Sequence, residues 1–458
     1  MTGRHRRIGA ALVPLLLCLG LLAGAAPAAT EPPETPRASE REIVAALERA
    51  AHPLHTTTDP YADRADLRPL ARMVRAAEVV GIGEATHGSH EFFALKHRVF
   101  RHLVAEKGFR TFALEVSWST GLRLNDYVLH GKGDVRRIMR EEFQDTYLWW
   151  NNTAYLELLR WMRAYNRHHP ADPVSFMGDD FAYAGPELYD KVTDYTARAH
   201  PDLLPRITAL YRGLRPTTTA GPYIRNYLSL PLDRRREMAA GTTRALRLLE
   251  QRRPPAPGTA VHRAHTWAVQ HARALDQTAR GYAWNFTDPE QIAAGMRYRD
   301  QIMADNVAWW REHTGDKILL SAHNGHAGYE PTDPRTLPKT QGAFLRDRLG
   351  HRYTNIGFTF HQGSFKATAP EGRTSTQTVG PARPGSNEHL LDRVRHRDYT
   401  VDLRTVPAPA RPWLLEPRPT RSFGTAYPDP ESDIALARSH DILIHLHRVH
   451  AARLLPGE

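Results

Sequence analysis

The sequence predicts an α/β fold with a mostly parallel central sheet, flanked by helices and interrupted by a large helical insertion. Three observations predict this architecture. Short aliphatic runs alternate with segments of helical periodicity along the chain. The first two runs are separated by one helical segment, which is the spacing of a strand–helix–strand unit. The stretch from residue 186 to about residue 312 shows helical patterns and no strand pattern.

The amino-terminal elements follow one another as a strand–helix–strand unit. The predicted elements are helices over 39–51 and 70–77 and strands over 78–82 and 111–114. Ser89 is suited to cap the helix between the strands, whose apolar residues recur every 3.6 residues until Gly108 ends it. Glu115 follows the second strand directly. We therefore expect two parallel strands joined by a right-handed crossover.

Later segments repeat the pattern on either side of the insertion. The predicted elements are a helix over 153–166, strands over 174–177 and 353–360, a strand beginning at Lys317, and two strand candidates over 399–403 and 441–445. A helix containing Phe344 and Leu345 precedes the strand over 353–360. The insertion at about 186–312 therefore leaves the sheet and returns to it at Lys317.

The amino terminus has the features of an export signal. Three arginines precede an apolar stretch over residues 8–23, and small residues over 25–28 offer a cleavage site. A membrane anchor is the alternative, but Pro14 and the A-x-A pattern favour cleavage. We expect a signal peptide over 1–28, a linker over 29–38 and the functional domain over 39–458. The mature protein is then secreted or extracytoplasmic, with no stable membrane insertion.

Cysteine usage and charge exclude several classes of function. The single cysteine, Cys18, lies in the predicted signal, so the mature chain has no disulfide, cysteine nucleophile or thiolate metal site. The formal net charge is +11, and loss of the signal arginines leaves +8. The basic residues are interleaved with acids, and no nucleic-acid motif accompanies them. We therefore predict no nucleic-acid partner and attribute the charge to arginine-rich composition.

Acidic and imidazole side chains follow the predicted strands at the point where each strand ends. The residues in these positions are Glu84, Glu115, Asp180 and His323. Glu84 and His323 are each followed by a histidine three residues later, at His87 and His326. Because the carboxyl ends of parallel strands meet at one edge of a sheet, we expect these side chains to share a site there. Independent helix caps and turns are the alternative interpretation.

The chemistry of such a site is narrowed by the motifs that the chain lacks. There is no Gly-x-Ser-x-Gly elbow, no His-Glu-x-x-His and no phosphate-binding Gly-x-x-x-x-Gly-Lys loop. A histidine held by a carboxylate is a general base that takes a proton from water. A second imidazole or a cation opposite it stabilises the oxyanion formed when that water attacks a carbonyl. The pattern indicates ester or lactone hydrolysis without a covalent intermediate.

Several longer motifs resemble one known family. They are Gly83-Glu84-Ala85-Thr86-His87-Gly88, Glu91-Phe92-Phe93, Lys96-His97-Arg98, Phe112-Ala113-Leu114-Glu115, Asn125-Asp126-Tyr127-Val128, Trp161-Met162-Arg163-Ala164-Tyr165-Asn166, His323-Asn324-Gly325-His326, Ile356-Gly357-Phe358-Thr359-Phe360 and Asp441 to Ile444. Together, and in this order, they resemble the erythromycin esterase family across most of the predicted mature chain.

The resemblance implies an α/β core with a helical subdomain, and water-mediated opening of a macrolide lactone without a required metal. It also implies roles for individual residues. His87 matches the family's general base, Glu84 and Glu115 its positioning carboxylates, Lys96 a basic position, His323 a second essential histidine and His326 a neighbour in the same motif. Resistance esterases of this family generally act inside the cell, so the predicted export is a departure from the family pattern.

Substrate contacts are expected from aromatic and acidic side chains near the strand ends. Trp118, Trp149 and Asp180 are the predicted substrate-binding residues. Aromatic walls suit a large apolar ligand such as a macrocycle. Aromatic residues at helical spacing more often belong to a core, and Asp180 is also suited to cap the next element.

Three functions remain open at this stage. The favoured one is an esterase that uses His87 and needs no metal or other cofactor, with a small-molecule ester or macrolide as its partner. The second is a metallohydrolase in which Glu84, His87, Glu115 and His323 bind a divalent ion. The third is a non-enzymatic protein that binds haem or a hydrophobic metabolite, because the chain has 25 histidines. The sequence does not determine the oligomeric state.

Overall fold

Residues 38–457 are described by a computed structural model. The predicted signal peptide over 1–28, and the predicted linker up to residue 37, lie outside the described residues. The remainder of the chain forms one unit around a central sheet. No described helix is both long and apolar enough to cross a membrane.

Within the described residues the central sheet contains nine strands, and six consecutive strands that extend to one edge of the sheet are parallel. The strands of residues 38–457 are β1 His52–Pro53, β2 Val79–Ile82, β3 Phe109–Ser117, β4 Ser175–Asp180, β5 Lys317–Ser321, β6 Tyr353–Thr368, β7 Thr374–Val379, β8 Tyr399–Asp402, β9 Arg418–Thr420, β10 Ser432–Ile434 and β11 Ile442–Val449. Their order is β1-β8-β11-β6-β2-β5-β3-β4, and β7 pairs with β6. β1, β7 and β8 are the antiparallel members, while β9 and β10 form a separate pair. The α/β fold with a mostly parallel sheet is confirmed.

Helices cover both faces of this sheet. Those before the insertion are α1 Glu40–Ala50, α2 Arg68–Met73, α3 His90–Lys107, α4 Trp118–His130, α5 Val135–Glu142 and α6 Thr153–His168. The insertion contains α7 Pro186–Ala199, α8 Leu204–Leu210, α9 Ala220–Ser229, α10 Leu232–Glu250, α11 Ala260–Gly281 and α12 Pro289–Thr314. After it come α13 Asn324–Ala327, α14 Gln341–Leu349, α15 Asn387–Leu391, α16 Arg411–Leu415 and α17 Leu436–Ser439. Short 3₁₀ turns lie at Ala65–Leu67, Asp145–Trp150, Gly350–Arg352 and Ala408–Ala410.

Alternate residues of the buried strands pack against different helices. In β3, Phe112 and Leu114 belong to the core formed with α3 and α6, whereas Ala113 belongs to the core formed with α7, α11 and α12. β5 alternates in the same way, with Leu319 facing one core and Leu320 the other. Side chains alternate between the two faces of a strand, so burial on both faces gives the continuous apolar runs seen in the sequence.

The observed elements differ from the predicted ones mainly outside the parallel strands. β6 extends to Thr368 and forms a hairpin with β7, which the sequence analysis did not predict. The burial of β7 alternates between exposed and partly buried residues, so its apolar signal is weak. The helices α4 and α5 were also not predicted. The insertion is helical throughout, as expected, and its last helix extends to Thr314.

Close packing between α4 and β4 makes one glycine critical. A Cβ atom at Gly121 would overlap the backbone of Gly178, and backbone atoms cannot move aside as a flexible side chain can. We expect Gly121→Ala to lower the free energy of unfolding by about 1–3 kcal/mol, the usual cost of overpacking. Chemical denaturation measures this loss. Gly241→Ala is the matched control. A Cβ at this helical position meets only an ordinary contact, so the substitution raises the free energy of unfolding by about 0.5–1 kcal/mol. Equal effects of the two substitutions would contradict the packing argument.

Candidate active site

The strands β2, β5, β3 and β4 are neighbours, and their carboxyl ends form one edge of the sheet. Glu84 follows β2, Glu115 lies near the end of β3, Asp180 ends β4 and His323 follows β5. All four are buried, with at most 8% of any one exposed. The structure thus brings together the four residues that the sequence places after strand ends, together with His87, His326 and Lys96.

Glu84 connects a histidine to a buried lysine. One carboxylate oxygen, Oε1, lies 2.6 Å from His87 Nδ1, and Oε2 accepts a hydrogen bond from Lys96. Lys96 is fully buried and also donates to Ser321 Oγ at 3.0 Å and to the Ala322 carbonyl at 3.3 Å. Burial by itself would raise the pKa of Glu84, but the positive charge of Lys96 and the bond to His87 hold that pKa below its usual value. Each of the three ammonium protons of Lys96 therefore has an acceptor in the protein.

His87 keeps one ring nitrogen free. Its Nδ1 is bonded to Glu84, which fixes the ring, while Nε2 has no hydrogen-bond partner within residues 38–457. The side chain retains 8% of its surface exposed to solvent. Its ring lies 5.0 Å from that of His323 and 5.6 Å from that of Trp150, both measured between centroids. Nε2 is therefore the position at which His87 can meet a water molecule.

His323 has the opposite arrangement, because both of its ring nitrogens are bonded to the backbone. Nδ1 accepts from the Gly325 amide at 3.1 Å, so the proton lies on Nε2, which donates to the Phe423 carbonyl at 3.0 Å. Burial and the neighbouring His87 lower the pKa of His323 to about 3. His323 is therefore a neutral imidazole that packs against His87.

Another group of charged side chains surrounds Arg299. Its Nη2 donates to Glu115 Oε1 at 2.8 Å and to Asp180 Oδ2 at 2.7 Å. Glu115 Oε2 accepts from the backbone amide of His323 at 3.0 Å. Burial would raise the pKa of Glu115, but His326 and Arg299 hold it well below its usual range. Glu115 is thus an ionised carboxylate, and it shares the Arg299 cation with Asp180.

His326 lies between this group and another buried acid. Its Nδ1 is 2.9 Å from Asp300, and its Nε2 is 3.4 Å from Glu115 Oε1 and 3.2 Å from Arg299 Nη1. Burial lowers the pKa of His326, yet the charges of Asp300 and Glu115 raise it above its usual value. The pKa values of His323 and His326 are therefore shifted in opposite directions because their partners differ.

Arg299 and Asp300 are residues that the sequence analysis missed. Both lie in the middle of α12, which belongs to the insertion, and Asp300 is fully buried. A residue at a strand end is marked by the apolar run before it, whereas a charged pair inside a long polar helix carries no comparable signal. Tyr155 also lies beside Lys96, because its hydroxyl is 2.9 Å from Ser321 Oγ, to which Lys96 donates.

The three predicted substrate-binding residues, Asp180, Trp118 and Trp149, differ in the side chains that they contact. Asp180 is 1% exposed and is bonded to Arg299 and to the Tyr147 hydroxyl. Trp118 lies in an aromatic cluster with Trp267, His271, Trp309 and Trp310, and donates to His271 Nδ1 at 3.3 Å. Trp149 is 1% exposed, and the tryptophan in ring contact with His87 is its neighbour, Trp150.

Protein cations, rather than a cluster of metal ligands, contact the acids of the site. Within residues 38–457 no group of three or more histidine, cysteine, aspartate or glutamate side chains is arranged to hold a metal ion. Glu84 is bonded to Lys96 and His87, and Glu115 is bonded to Arg299. The arrangement presents one imidazole nitrogen without a partner in the described residues, beside acids that are bonded to protein cations.

Comparison with known proteins identifies the family of the chain. The family model described as erythromycin esterase matches residues 104–449, which is most of the chain. The chain belongs to the erythromycin esterase family. The first motif group, from Gly83 to Arg98, precedes the matched region, and the other motifs that carried the resemblance lie within it.

The proteins similar to this chain include erythromycin esterases, a putative hydrolase and a Bacillus cereus protein of known structure. The chain is 23% identical to erythromycin esterase type II of Escherichia coli over 332 residues, covering 67% of this chain and 74% of that protein. It is 23% identical to the putative hydrolase YbfO of Bacillus subtilis (strain 168), covering 88% and 90% respectively. A crystal structure of a Bacillus cereus protein matches with a TM-score of 0.81 and 29% identity, covering 91% of this chain and all of that one. The open conformation of a mutant of the erythromycin esterase EreC matches with a TM-score of 0.65 at 19% identity, which shows a shared fold.

The neutral state of His323 predicts a pH-dependent contribution to stability. Its pKa of about 3 lies below the value of 6.5 for an unperturbed histidine, so the unfolded chain binds the proton first as pH falls. The contribution of His323 is therefore present above pH 6.5 and is lost progressively toward pH 3. We expect the stability difference between the parent and His323→Gln to shrink over this range, as measured by denaturation at several pH values. The exposed His351→Gln is the control. A difference that stays constant with pH would show that His323 does not titrate in this way.

Proposed function

We propose that this protein is a carboxylic ester hydrolase of the erythromycin esterase type, which cleaves an ester or macrolactone with water activated by His87. The observation that carries the proposal is the asymmetry of the His87 ring. Nδ1 is bound to Glu84 at 2.6 Å, whereas Nε2 has no hydrogen-bond partner in the described part of the chain. A carboxylate on one ring nitrogen makes the other nitrogen a better proton acceptor.

In the proposed reaction, His87 Nε2 takes a proton from water as the water oxygen attacks the ester carbonyl carbon. The resulting imidazolium lies against Glu84, whose negative charge stabilises it. The tetrahedral intermediate then collapses, the carbon–oxygen bond to the alcohol breaks, and His87 returns the proton to the leaving alkoxide. A lactone opened in this way gains one molecule of water and becomes a hydroxy acid. No covalent enzyme intermediate is formed.

Arg299 and His326 are the proposed source of oxyanion stabilisation. Arg299 keeps 18% of its side chain exposed and His326 keeps 11%, so both reach the solvent-accessible part of the site. Their positions are fixed by Glu115, Asp180 and Asp300, which removes the need to reorganise during the reaction. Preorganised donors of this kind typically contribute about 10²–10³ in rate. Asp180 then acts on substrate through Arg299.

A macrolide is the proposed substrate class, because relatives named erythromycin esterase types I and II align with most of this chain. Trp150, which contacts His87, supplies an apolar wall beside the reacting centre. We also propose a contact with Trp149, the neighbouring residue. For Trp118 to bind substrate, the substrate must reach the aromatic cluster that Trp118 forms with Trp309 and Trp310.

Export is a separate part of the proposal and rests on the amino-terminal sequence alone. The basic start, apolar stretch and small residues over 1–28 support cleavage and release from the cytoplasm. Amino-terminal sequencing of protein recovered outside the cytoplasm tests it. A mature terminus near residue 29 is expected, and an intact Met1 would overturn the assignment.

The central test is hydrolysis of a 14-membered macrolide by the purified protein, followed by mass spectrometry. We expect the product to gain one water, and His87→Ala to lose about 10²–10⁴ in rate, the usual contribution of a general base. Its melting temperature should stay close to that of the parent, because Glu84 keeps its bond to Lys96. His351→Ala, at an exposed position, is the control.

The outcomes of this test separate the three functions considered. Loss of activity with a chelator and recovery with zinc or manganese would replace the proposal with a metallohydrolase. A haem absorption band after reconstitution, without turnover of any ester, would replace it with a binding protein. Turnover of simple esters but not of macrolides would retain the reaction and change only the substrate class.

The buried pair of Lys96 and Glu84 gives a second prediction. Lys96→Met leaves the Glu84 carboxylate buried without its cation, which typically costs about 3–5 kcal/mol of unfolding free energy. The double variant Glu84→Gln, Lys96→Met removes both charges and should recover much of that stability. It should remain inactive, because His87 has lost its carboxylate. Denaturation and ester turnover of Lys96→Met, of Glu84→Gln and of the double variant measure the two effects separately. Additive losses of stability would mean that the pair does not interact as described.

A further inference from the structure

A second aspartate lies directly beside Asp180 and is not used by the proposed reaction. Asp179 is in β4, is fully buried, and accepts a hydrogen bond at 2.6 Å from the side-chain Nε2 of Gln341 to its Oδ2. Gln341 is the first residue of α14 and is also fully buried. The two side chains therefore connect the end of a central strand to the start of a helix.

Each side chain of this pair retains one oxygen without a partner. Asp179 Oδ1 and Gln341 Oε1 are both buried, and neither has a hydrogen-bond donor in the described part of the chain. A buried acceptor without a donor costs free energy. Two such acceptors, on side chains already hydrogen-bonded to each other at 2.6 Å, point to a shared cause. An ionised carboxylate and an amide oxygen are both acceptors, so they cannot satisfy each other.

A single proton on Asp179 satisfies both oxygens. A neutral carboxylic acid donates through one oxygen and accepts through the other, and a carboxamide does the same. The pair then makes two hydrogen bonds, one in each direction. Exchanging the oxygen and nitrogen of the Gln341 amide does not remove the requirement. Oε1 would then lie 2.6 Å from Asp179 Oδ2, and two oxygens at that separation need a proton between them.

The charges that face Asp179 agree with a neutral acid. Burial raises its pKa well above the usual value, and the neighbouring carboxylates of Asp180 and Glu115 raise it further. Arg299 is the cation that opposes them, but its Nε and Nη2 atoms donate to Asp180 and Glu115. Three carboxylates around one guanidinium are less costly when one of them carries a proton.

The pair also contacts the residues that hold His326. The backbone amide of Gln341 donates to Asp300 Oδ2 at 2.8 Å, and Asp300 is bonded to His326 Nδ1 at 2.9 Å. The backbone carbonyl of Asp179 accepts from Asn306 Nδ2 at 2.8 Å, in the same helix as Asp300. Movement of Gln341 would therefore move Asp300 and, through it, His326.

We propose that Asp179 is a neutral carboxylic acid that forms a two-hydrogen-bond pair with Gln341, and that this pair is a positioning element for Asp300 and His326. The consequence for catalysis rests on the proposed role of His326 in ester hydrolysis. The protonation of Asp179 and its pairing with Gln341 stand independently of that role.

Infrared spectroscopy tests the protonation directly. Protein labelled with carbon-13 at the aspartate side-chain carboxyl should show, at neutral pH, a carbonyl band of a protonated acid that is shifted by the label. The band should be absent from Asp179→Asn. Its absence from the parent at neutral pH would overturn the proposal, whether or not the protein hydrolyses any ester.

Three variants test the pairing and the positioning. Asn at position 179 makes the same two hydrogen bonds with Gln341 that the neutral acid makes, so Asp179→Asn should keep the parent rate within about twofold. Asp179→Leu, of similar size, and Gln341→Leu remove both bonds and should lower kcat at least tenfold. Rescue by Asn but not by Leu is the expected result. Equal losses in Asp179→Asn and Asp179→Leu would show that the charge of an ionised Asp179 is needed.

Stability against pH supplies a readout that does not require a substrate. Because the pKa of Asp179 is raised in the folded state, its contribution is greatest at low pH and is lost as pH rises. Asn does not titrate, so Asp179→Asn should gain stability relative to the parent as pH increases. A difference independent of pH would contradict the proposal. An inactive parent that still shows the band and this pH trend would reject the esterase function and retain the pair.

Discussion

Charge compensation at the carboxyl edge of the sheet is the constraint on which the rest of the site depends. The parallel strands place Glu84, Glu115 and Asp180 in one buried region. A buried carboxylate without a compensating charge costs on the order of several kcal/mol, as any buried ion does. Lys96 is bonded to Glu84, and Arg299 to Glu115 and Asp180. Each cation is itself buried or nearly so, and it is stabilised only because the acids are there.

The helical insertion takes part in this compensation. It leaves the sheet after β4 and returns to it at β5, and its last helix carries Arg299 and Asp300 to the same edge. Without that helix, Glu115 and Asp180 would lack their guanidinium partner, and His326 would lack Asp300. The insertion thus supplies Arg299 and Asp300, the strand ends supply Glu84, Glu115 and Asp180, and α3 supplies Lys96.

Three histidines of the site have different surroundings and therefore different chemical properties. His87 has one nitrogen bound to a carboxylate and one free, which suits proton transfer. His323 has both nitrogens bound to the backbone and stays neutral, so its contribution to the site is shape and a fixed contact with His87. His326 lies between Asp300 and Glu115, which favour its positive charge. Sequence motifs name all three as histidines next to glycine or asparagine and do not distinguish these states.

The sequence by itself determined the parallel sheet, the helical insertion and most of the site, because these depend on local patterns. Apolar runs mark strands buried on both faces, and polar residues directly after them must lie at a common edge. Only the tertiary structure decided which cations meet those acids, which of the histidines keeps a ring nitrogen without a partner, and that Trp150 contacts His87. Arg299, Asp300 and the pair of Asp179 and Gln341 also became visible only there. The bonds from Arg299 to Glu115 and Asp180, and from Gln341 to Asp179, join residues more than a hundred positions apart in the chain. No local spacing encodes a distance across a folded core.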